Sequence, residues 1–191
     1  MELDALWSET LDHLQRGAVD RKSPWHTMQV GSLSSNDEVE IRTVVFRLFK
    51  RNPVRIYFHT DLRSLKCAQF KAHPKSVSLH WYNPGRKKQI RMKGQVLIHD
   101  SGELYDRELG KVSEVTARTY SGPFAPGTEL PQHHPNSSTD SDTHDLTSKN
   151  FGVIEVLPRE VEVLHLKAEG HVRFRAWLAE GILTKLSWLA P

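Results

Sequence analysis

Basic and hydroxyl side chains between Arg42 and Lys66 have types and spacing that suit an anionic ligand. Arg42 begins the segment RTVVFR, in which apolar residues alternate as they do on a half-buried strand. An arginine fixed on a strand can present two parallel N–H donors to a phosphate. Ser64 and Lys66 fall in the first turn of a predicted helix, where free backbone amides and the lysine ammonium attract the same charge. These residues therefore predict a site for a phosphorylated small molecule.

A further polar segment, RKKQIRMKG, follows at residues 86–94 and adds donors for the polar edge of a ring. Each segment also has an ordinary structural explanation. Asp61 could cap the helix, with Arg63 and Lys66 as solvated surface charges. The basic strand could be one exposed face of a barrel, or a nucleic-acid patch beside Trp81 and Tyr82. The order of the segments, more than any one of them, favours the phosphate site.

The elements that must position these side chains are mainly strands. Leu3, Leu6, Trp7, Leu11 and Leu14 recur at helical spacing, and Gly17 is expected to end this first helix. Alternating apolar residues then predict strands near residues 28–30, 39–45, 54–58, 77–81 and 90–98. The sequence further predicts a hairpin at Asn52-Pro53, a short helix ending at His73-Pro74, a turn at Asn83-Pro84-Gly85 and a bulge at Gly94.

The C-terminal half predicts one more helix and four more strands. The helix is expected over Ser101 to Thr119, and residues 122–150, rich in Pro, Ser, Thr, His and Asp, predict a long flexible loop. The strand segments are GVIEVLP, EVEVLHL, HVRFRAWL and LTKLSWLAP. Many short strands with few helices favour a mainly β fold, a β-barrel with peripheral helices, in a single domain over residues 1–191.

Composition narrows the function classes. The net charge of +3 and the pI near 9.0 suit an anionic ligand but are too small to indicate nucleic-acid binding. Cys67 is the only cysteine, so the chain can form no internal disulfide, and a packed, unreactive thiol is expected there. Neither a signal peptide nor a membrane-spanning run is evident, so the cytoplasm is the expected location, without a membrane partner.

The order and spacing of these segments resemble the pyridoxamine 5'-phosphate oxidase-like family, the FMN-binding split barrels. The matching pieces are Arg42–Arg47, Phe58–Asp61, Ser64–Lys66 and Gln89–Gly94. Near the C-terminus, HVRF at residues 171–174 is similar to the H-x-R-F strand of the family, although simple strand alternation also explains it. The last residues, Leu186 to Pro191, are similar to the family's L-x-P ending.

The resemblance implies FMN as cofactor, a homodimer with FMN at its interface, and Gln89 approaching from the partner subunit. It also implies an oxidoreductase that transfers hydride from a small substrate to FMN, which dioxygen or another acceptor reoxidises. Arg42 and Lys66 would hold the FMN phosphate, and Arg47, Arg118 and His171 would contact the substrate. No metal is expected. The implied cofactor-binding residues are Arg42, Thr43, Val44, Val45, Arg47, His59, Thr60, Ser64, Leu65, Lys66, Gln89 and Arg173.

Several residues depart from the family pattern. Arg47 and Leu65 stand where pyridoxamine-phosphate oxidases usually carry lysine and arginine, and Glu169 replaces an arginine that faces the substrate. The region from Val112 to Gly127 lacks a clear copy of the Tyr/Arg/Ser set that grips the substrate phosphate, with Arg118, Tyr120 and Ser121 as the nearest candidates. A vitamin B6 phosphate as substrate therefore stays open.

Two further alternatives stay open from the sequence. A non-catalytic split barrel that binds FMN, or haem, would carry the same fold without turnover. A metal site in the long loop is the other alternative, although the spacing of its residues fits no structural zinc pattern. The residues concerned are His133, His134, His144, Asp140, Asp142 and Asp145.

Overall fold

The computed structural model describes residues 2–133 and 150–191. Within these ranges it contains nine strands, four α-helices and one 3₁₀ turn, Arg118–Tyr120. The helices are α1 Leu3–Val19, α2 Leu65–Ala72, α3 Glu103–Leu109 and α4 Glu114–Ala117. The strands are β1 Thr27–Leu33, β2 Val39–Val45, β3 Leu48–Arg51, β4 Val54–Asp61, β5 Val77–Asn83, β6 Lys88–His99, β7 Phe151–His165, β8 Val172–Ala179 and β9 Ile182–Trp188.

The strands form one antiparallel sheet in the order β2-β1-β5-β6-β7-β4-β3, with β8 paired to β7 and β9 paired to β8. Strand β7 is the centre of this arrangement, because it pairs with β6 along most of its length, with β4 through its first half and with β8 through its second half. The main core lies inside the curved sheet and contains fully buried aromatic side chains, among them Phe46, Phe58, Trp81 and Phe174. A mainly β fold with peripheral helices was predicted, and it is confirmed.

Helix α1 packs its apolar face on the sheet, as the spacing of Leu6, Leu11 and Leu14 predicted. The predicted end of this helix at Gly17 is wrong, since α1 continues to Val19. Gly17 is needed for packing instead. A Cβ there would lie 2.5 Å from the carbonyl oxygen of Trp25, which is closer than the backbone allows.

Two predictions for the C-terminal half are also wrong. The first two predicted strands are one strand, β7, which runs through Pro158 without interruption. Proline is tolerated there because a bulge shifts the register, so that Lys93 pairs with Glu160 and Gly94 with Pro158. The bulge at Gly94 itself was predicted correctly, and a Cβ at this glycine would lie 2.5 Å from the carbonyl oxygen of Leu157.

The single helix predicted over Ser101 to Thr119 is divided into α3, α4 and the 3₁₀ turn. Helix α3 ends at Gly110, and Ser113 begins α4 by accepting a hydrogen bond from the backbone N–H of Thr116. A serine inside a predicted helix can be the N-cap of a new helix. Composition alone does not distinguish this start signal from the turn before it. Most of the predicted loop at 122–150, including residues 134–149, lies outside the described residues.

Candidate functional site

A cleft of about 290 Å³ opens beside the C-terminal end of β4 and the first turn of α2. Consecutive residues of β2, the end of β4, the start of α2 and the segment around the 3₁₀ turn form its walls. The residues that line it are Thr43, Val44, Val45, Arg47, His59, Thr60, Asp61, Lys66, Thr119, Tyr120 and Pro126.

The chain reaches the cleft where it leaves β2 and crosses towards β3. The backbone N–H of Phe46 donates to the carbonyl of His26 at 2.8 Å, and the next N–H, that of Arg47, donates to Tyr57 on β4 at 3.0 Å. The Phe46 ring is fully buried against Trp81, with ring centroids 5.6 Å apart. Phe46 thus anchors the crossing in the core, and the residues on either side of it, Val45 and Arg47, line the cleft.

Two cations line the cleft without a carboxylate partner. The Lys66 ammonium donates to the Thr60 hydroxyl at 3.2 Å and forms no ion pair with any described residue. Burial, together with the charge of Arg42 nearby, lowers the pKa of Lys66 below its ordinary value. Among the described residues, the Arg47 guanidinium has no hydrogen-bond or ion-pair partner either. The cleft therefore has uncompensated positive charge in partly buried positions, which is the electrostatic requirement of an anion site.

Asp61 is the one carboxylate in the described lining, and it is already paired. Its carboxylate accepts hydrogen bonds from the Arg63 guanidinium at 3.1 and 2.7 Å and from the Arg63 backbone N–H at 2.9 Å. The sequence had suggested a helix-capping role for Asp61, but the N-cap residue of α2 is Ser64, and its hydroxyl donates to the Asp61 carbonyl at 2.6 Å. Because Asp61 is paired with Arg63, this carboxylate offsets the charge of Lys66 only in part.

His59 forms another part of the wall, with a buried carboxylate behind it. Its Nε2 lies 3.6 Å from the carboxylate of Glu108 on α3, and its ring packs edge-on against Phe151 with centroids 4.9 Å apart. Glu108 is also paired with Arg107 and Lys111. Burial, with the positive charge of Arg47, lowers the pKa of His59 to about 4, although Glu108 opposes this. The imidazole is therefore neutral at physiological pH.

Seven of the twelve predicted cofactor-binding residues line this cleft, and five do not. Arg42 donates to Gln69 and to Glu40, each at 3.0 Å, and to the Ser32 hydroxyl. Ser64 is buried and Leu65 is 65% exposed. The cofactor-binding roles of all twelve residues stay predictions. The seven are Thr43, Val44, Val45, Arg47, His59, Thr60 and Lys66; the five are Arg42, Ser64, Leu65, Gln89 and Arg173.

Gln89 and Arg173 lie on strands β6 and β8, away from the lining. Gln89 contacts His80 at 3.3 Å, and Arg173 donates to the Glu162 carboxylate at 2.7 and 3.0 Å. Burial raises the pKa of Glu162, but hydrogen bonds from Arg91, Arg175 and Arg173 outweigh it and bring this pKa to about 2. Of the predicted substrate residues, Arg47 lines the cleft, whereas Arg118 and His171 are exposed outside its lining.

Some residues of the site were not assigned from the sequence. Thr119 and Pro126 line the cleft, Glu108 supports His59, and Arg63 pairs with Asp61. Arg63 pairs locally with Asp61, but no spacing rule connects Glu108, Thr119 and Pro126 to β4, since they reach it through the tertiary fold. The sequence had named Tyr120, with Arg118 and Ser121, only as the nearest candidates for the set that grips the substrate phosphate. Of the six residues of the alternative metal site, all but His133 lie outside the described residues.

The sequence model of the family described as "Pyridoxamine 5'-phosphate oxidase, FMN-binding domain" matches residues 4–100, about half of the 191-residue chain. The chain belongs to this family. The matched segment includes Thr43 to Lys66, and therefore all of the cleft except the wall formed by Thr119, Tyr120 and Pro126.

A curated protein similar to this chain is pyridoxine/pyridoxamine 5'-phosphate oxidase 2 of Arabidopsis thaliana. The two are 36% identical over 74 residues, which cover 39% of this chain and only 37% of the plant protein. This chain therefore spans little more than a third of the plant protein that it matches. The match leaves most of both chains unaligned.

Two solved structures are similar over nearly the whole chain. A pyridoxamine 5'-phosphate oxidase-related, FMN-binding protein from Nostoc punctiforme has a TM-score of 0.74 and 20% identity over 97% of each chain. PhzG from Burkholderia lata, solved in complex with tetrahydrophenazine-1-carboxylic acid, has a TM-score of 0.66 and 18% identity over 99% of this chain and 91% of its own. The chain thus has the split-barrel fold of its family.

Among the described residues, no helix combines the length and the apolar character that a membrane span requires.

Proposed function

We propose that the protein binds FMN in the cleft between β2, β4 and α2, and that it is an FMN-dependent oxidoreductase. The observation that carries this proposal is the pair of cations, Arg47 and Lys66, which face the cleft without a carboxylate partner among the described residues. A buried charge without a partner destabilises a folded protein, so a dianionic ligand explains why both are held there. Membership of an FMN-binding family supports FMN as that ligand.

The residues of the cleft fit this cofactor chemically. Lys66, in the first turn of α2, would bind the phosphate, together with the free backbone amides at that helix end. Val44 and Val45 provide an apolar wall, and Thr43 and Thr60 add hydroxyl groups for polar atoms of the cofactor. Arg42 would reach the phosphate only after leaving Glu40 or Gln69, so its share in binding is a separate prediction.

Bound FMN would supply two-electron redox chemistry, accepting hydride from a small substrate and returning electrons to dioxygen or another acceptor. The residues of this chain would bind and orient the substrate beside it. His59, neutral at physiological pH, could accept or donate a hydrogen bond there, and Arg47 would attract an anionic group. Glu169 is exposed where related oxidases carry a cation, which supports a substrate other than a vitamin B6 phosphate.

We further propose that the site is completed in an isologous homodimer. Val39 and Ile41 are 70% and 69% exposed on one face of β2, and Thr43, two residues farther on the same face, lines the cleft. An exposed apolar stripe that continues into a cleft suits contact with a second copy. The cleft volume of about 290 Å³ is also small for a complete ligand site.

An absorbance spectrum of the purified protein, followed by titration of the flavin-free protein with FMN and with riboflavin, tests the cofactor. We expect saturable FMN binding that is tighter than riboflavin binding, because only FMN carries the phosphate. Equal affinities for FMN and riboflavin would remove the phosphate site, and binding of neither would remove the proposed function.

Turnover is tested by screening substrates, starting with pyridoxamine and pyridoxine phosphates, for loss of flavin absorbance without oxygen. FMN binding without reduction by any substrate would favour a non-catalytic flavin-binding protein.

The mass in solution tests the dimer, with Ile41→Asp as the variant that should dissociate it and Glu38→Gln, on an exposed turn, as its control. A monomeric wild type would remove the dimer.

A further inference from the structure

One wall of the cleft belongs to a segment with little regular structure. Residues 118–126 contribute Thr119, Tyr120 and Pro126 to the lining, yet only the 3₁₀ turn at Arg118–Tyr120 is helical. Arg118 and Thr119 are exposed, whereas Tyr120 is half-buried and Ser121 and Gly122 are buried. Two hydrogen bonds to backbone carbonyls of this segment help to hold it over the cleft.

The first contact is a charged tether from the turn before α2. The Arg63 guanidinium is fixed by two hydrogen bonds to the Asp61 carboxylate, at 3.1 and 2.7 Å, which orient the whole planar group. Its remaining terminal nitrogen, Nη1, then donates to the carbonyl oxygen of Gly122 at 2.9 Å. Asp61 is buried and itself lines the cleft, so this tether joins one wall directly to the other.

The second contact holds the same segment two residues earlier. The Asn150 side chain donates from Nδ2 to the carbonyl of Tyr120 at 2.8 Å, and the Asn150 carbonyl accepts from the backbone N–H of Leu62 at 2.8 Å. The Tyr120 ring packs edge-on against Phe151, with centroids 5.3 Å apart. Both carbonyl tethers thus lead back to residues 61–63, directly before the helix that supplies Lys66.

We propose that Arg63, oriented by Asp61, is a positioning residue that sets the distance between the Tyr120 wall and the cation side of the cleft. The hydrogen bonds of Arg63 do not depend on a bound ligand. Their effect on substrate selection rests on the proposed function. Thr119, Tyr120 and Pro126 carry no charge, and burial raises the pKa of Tyr120 although Arg47 opposes this, so the wall held by Arg63 stays neutral. It therefore selects for an uncharged part of the substrate, whereas Arg47 attracts an anionic part.

Hydrogen–deuterium exchange of the full-length protein without FMN tests the tether independently of the cofactor. We expect Arg63→Met to increase the exchange rate of the peptide covering residues 118–126 on the order of tenfold, because one charge-assisted hydrogen bond is lost. Arg63→Lys keeps the positive charge but loses the planar guanidinium with its several N–H donors. This variant should therefore not restore the protection of the peptide from exchange. Arg16→Met, on the exposed face of α1, is the matched control and should match the wild type. Unchanged exchange in the 118–126 peptide of Arg63→Met would overturn the tether.

The visible circular dichroism of bound FMN tests whether the tether shapes the cleft. We expect an altered spectrum of the FMN-saturated protein in Arg63→Met, together with weaker FMN binding because Asp61 then faces the cleft without its arginine. A merely structural arginine would leave the spectrum of the saturated protein unchanged. An unchanged spectrum with faster exchange would overturn the positioning role. If wild type binds no FMN, the proposed function fails while the exchange result still stands. If Arg63→Met does not fold, Asn150→Ala removes the second tether and is expected to change exchange and spectrum in the same way.

Discussion

Replacing Lys66 with methionine should weaken FMN binding while leaving the folded protein as stable as before, or more stable. The Lys66 ammonium has one hydrogen bond, to Thr60 at 3.2 Å, and no ion pair with a described residue. A phosphate there would receive a charge-assisted hydrogen bond worth about 1.5–3 kcal/mol. Its loss corresponds to an increase in the FMN Kd of about 10-fold to 150-fold.

The stability of the protein without FMN should stay the same or rise in Lys66→Met, which distinguishes Lys66 from a lysine with a structural role. Burial lowers the pKa of Lys66, so the folded protein without ligand holds this charge at a disadvantage. Methionine has a similar length and no charge, and it removes that disadvantage. We therefore expect an unchanged or higher melting temperature for Lys66→Met without FMN.

Fluorescence titrations with FMN and riboflavin, in parallel with thermal melts, would measure both effects. Riboflavin binding should be equal in the wild type and Lys66→Met, because riboflavin has no phosphate. Lys71→Met, on the exposed face of the same helix, is the control for a general loss of positive charge. An unchanged ratio of FMN to riboflavin affinity in Lys66→Met would refute the assignment of the phosphate to this lysine.

Three further predictions concern buried groups. Glu162→Gln should lower the free energy of unfolding by about 1.5–3 kcal/mol at pH 7, because it removes the charged acceptor of hydrogen bonds from three partly exposed arginines. In the wild type this contribution is complete above the unfolded pKa of 4.5 and disappears as the pH falls through about 2. His59 should titrate by NMR with a pKa of about 4, and because this is below the unfolded value of 6.5, stability should fall as the pH drops between these values. Gly17→Ala should destabilise by about 1–3 kcal/mol through its clash with Trp25, measured by urea unfolding, although alanine favours a helix by about 1 kcal/mol.

Matched variants separate these effects from general ones. Glu38→Gln, on an exposed turn, should leave the unfolding free energy and its pH dependence unchanged, and an equal loss in both glutamine variants would contradict the role of Glu162. His59→Gln assigns the NMR resonance, and a midpoint above 6 would contradict the burial of the imidazole. Gln15→Ala, exposed on α1, should stabilise slightly, and a similar gain in Gly17→Ala would show that the helix moves to accept the methyl group.

The predicted residues that line the cleft come from two short segments of the chain. Thr43 to Arg47 lie at the end of β2, and His59, Thr60 and Lys66 lie at the end of β4 and the start of α2. A sequence pattern locates each segment, but it does not show that β2 and β4, which are not paired in the sheet, meet at one cleft. Arg42 was placed correctly on β2, but strand spacing does not reveal that Ser32, Glu40 and Gln69 surround its guanidinium.

The parts that the sequence did not predict depend on distant contacts. Glu108 reaches His59 and Arg63 reaches Gly122 across 49 and 59 residues of chain, respectively, and neither pair leaves a periodic signal. The sequence predicts one strand ending at Pro158 and another beginning at Glu160, whereas β7 continues through both. The register shift beside Pro158 forms only when β6 and β7 pair.

The position of β7 in the sheet has a consequence for the folding unit. Residues 4–100 contain β1 to β6, yet β4 and β6 are joined only through β7, which begins at Phe151. Without β7 the sheet separates into a four-stranded piece, β2-β1-β5-β6, and the β3-β4 hairpin, each with an unpaired edge. During synthesis, His59 and Thr60 therefore stay on an open edge until about the last fifth of the chain emerges. A fragment cut at the end of the matched segment would lack a lasting cleft and would be prone to associate through its free edges.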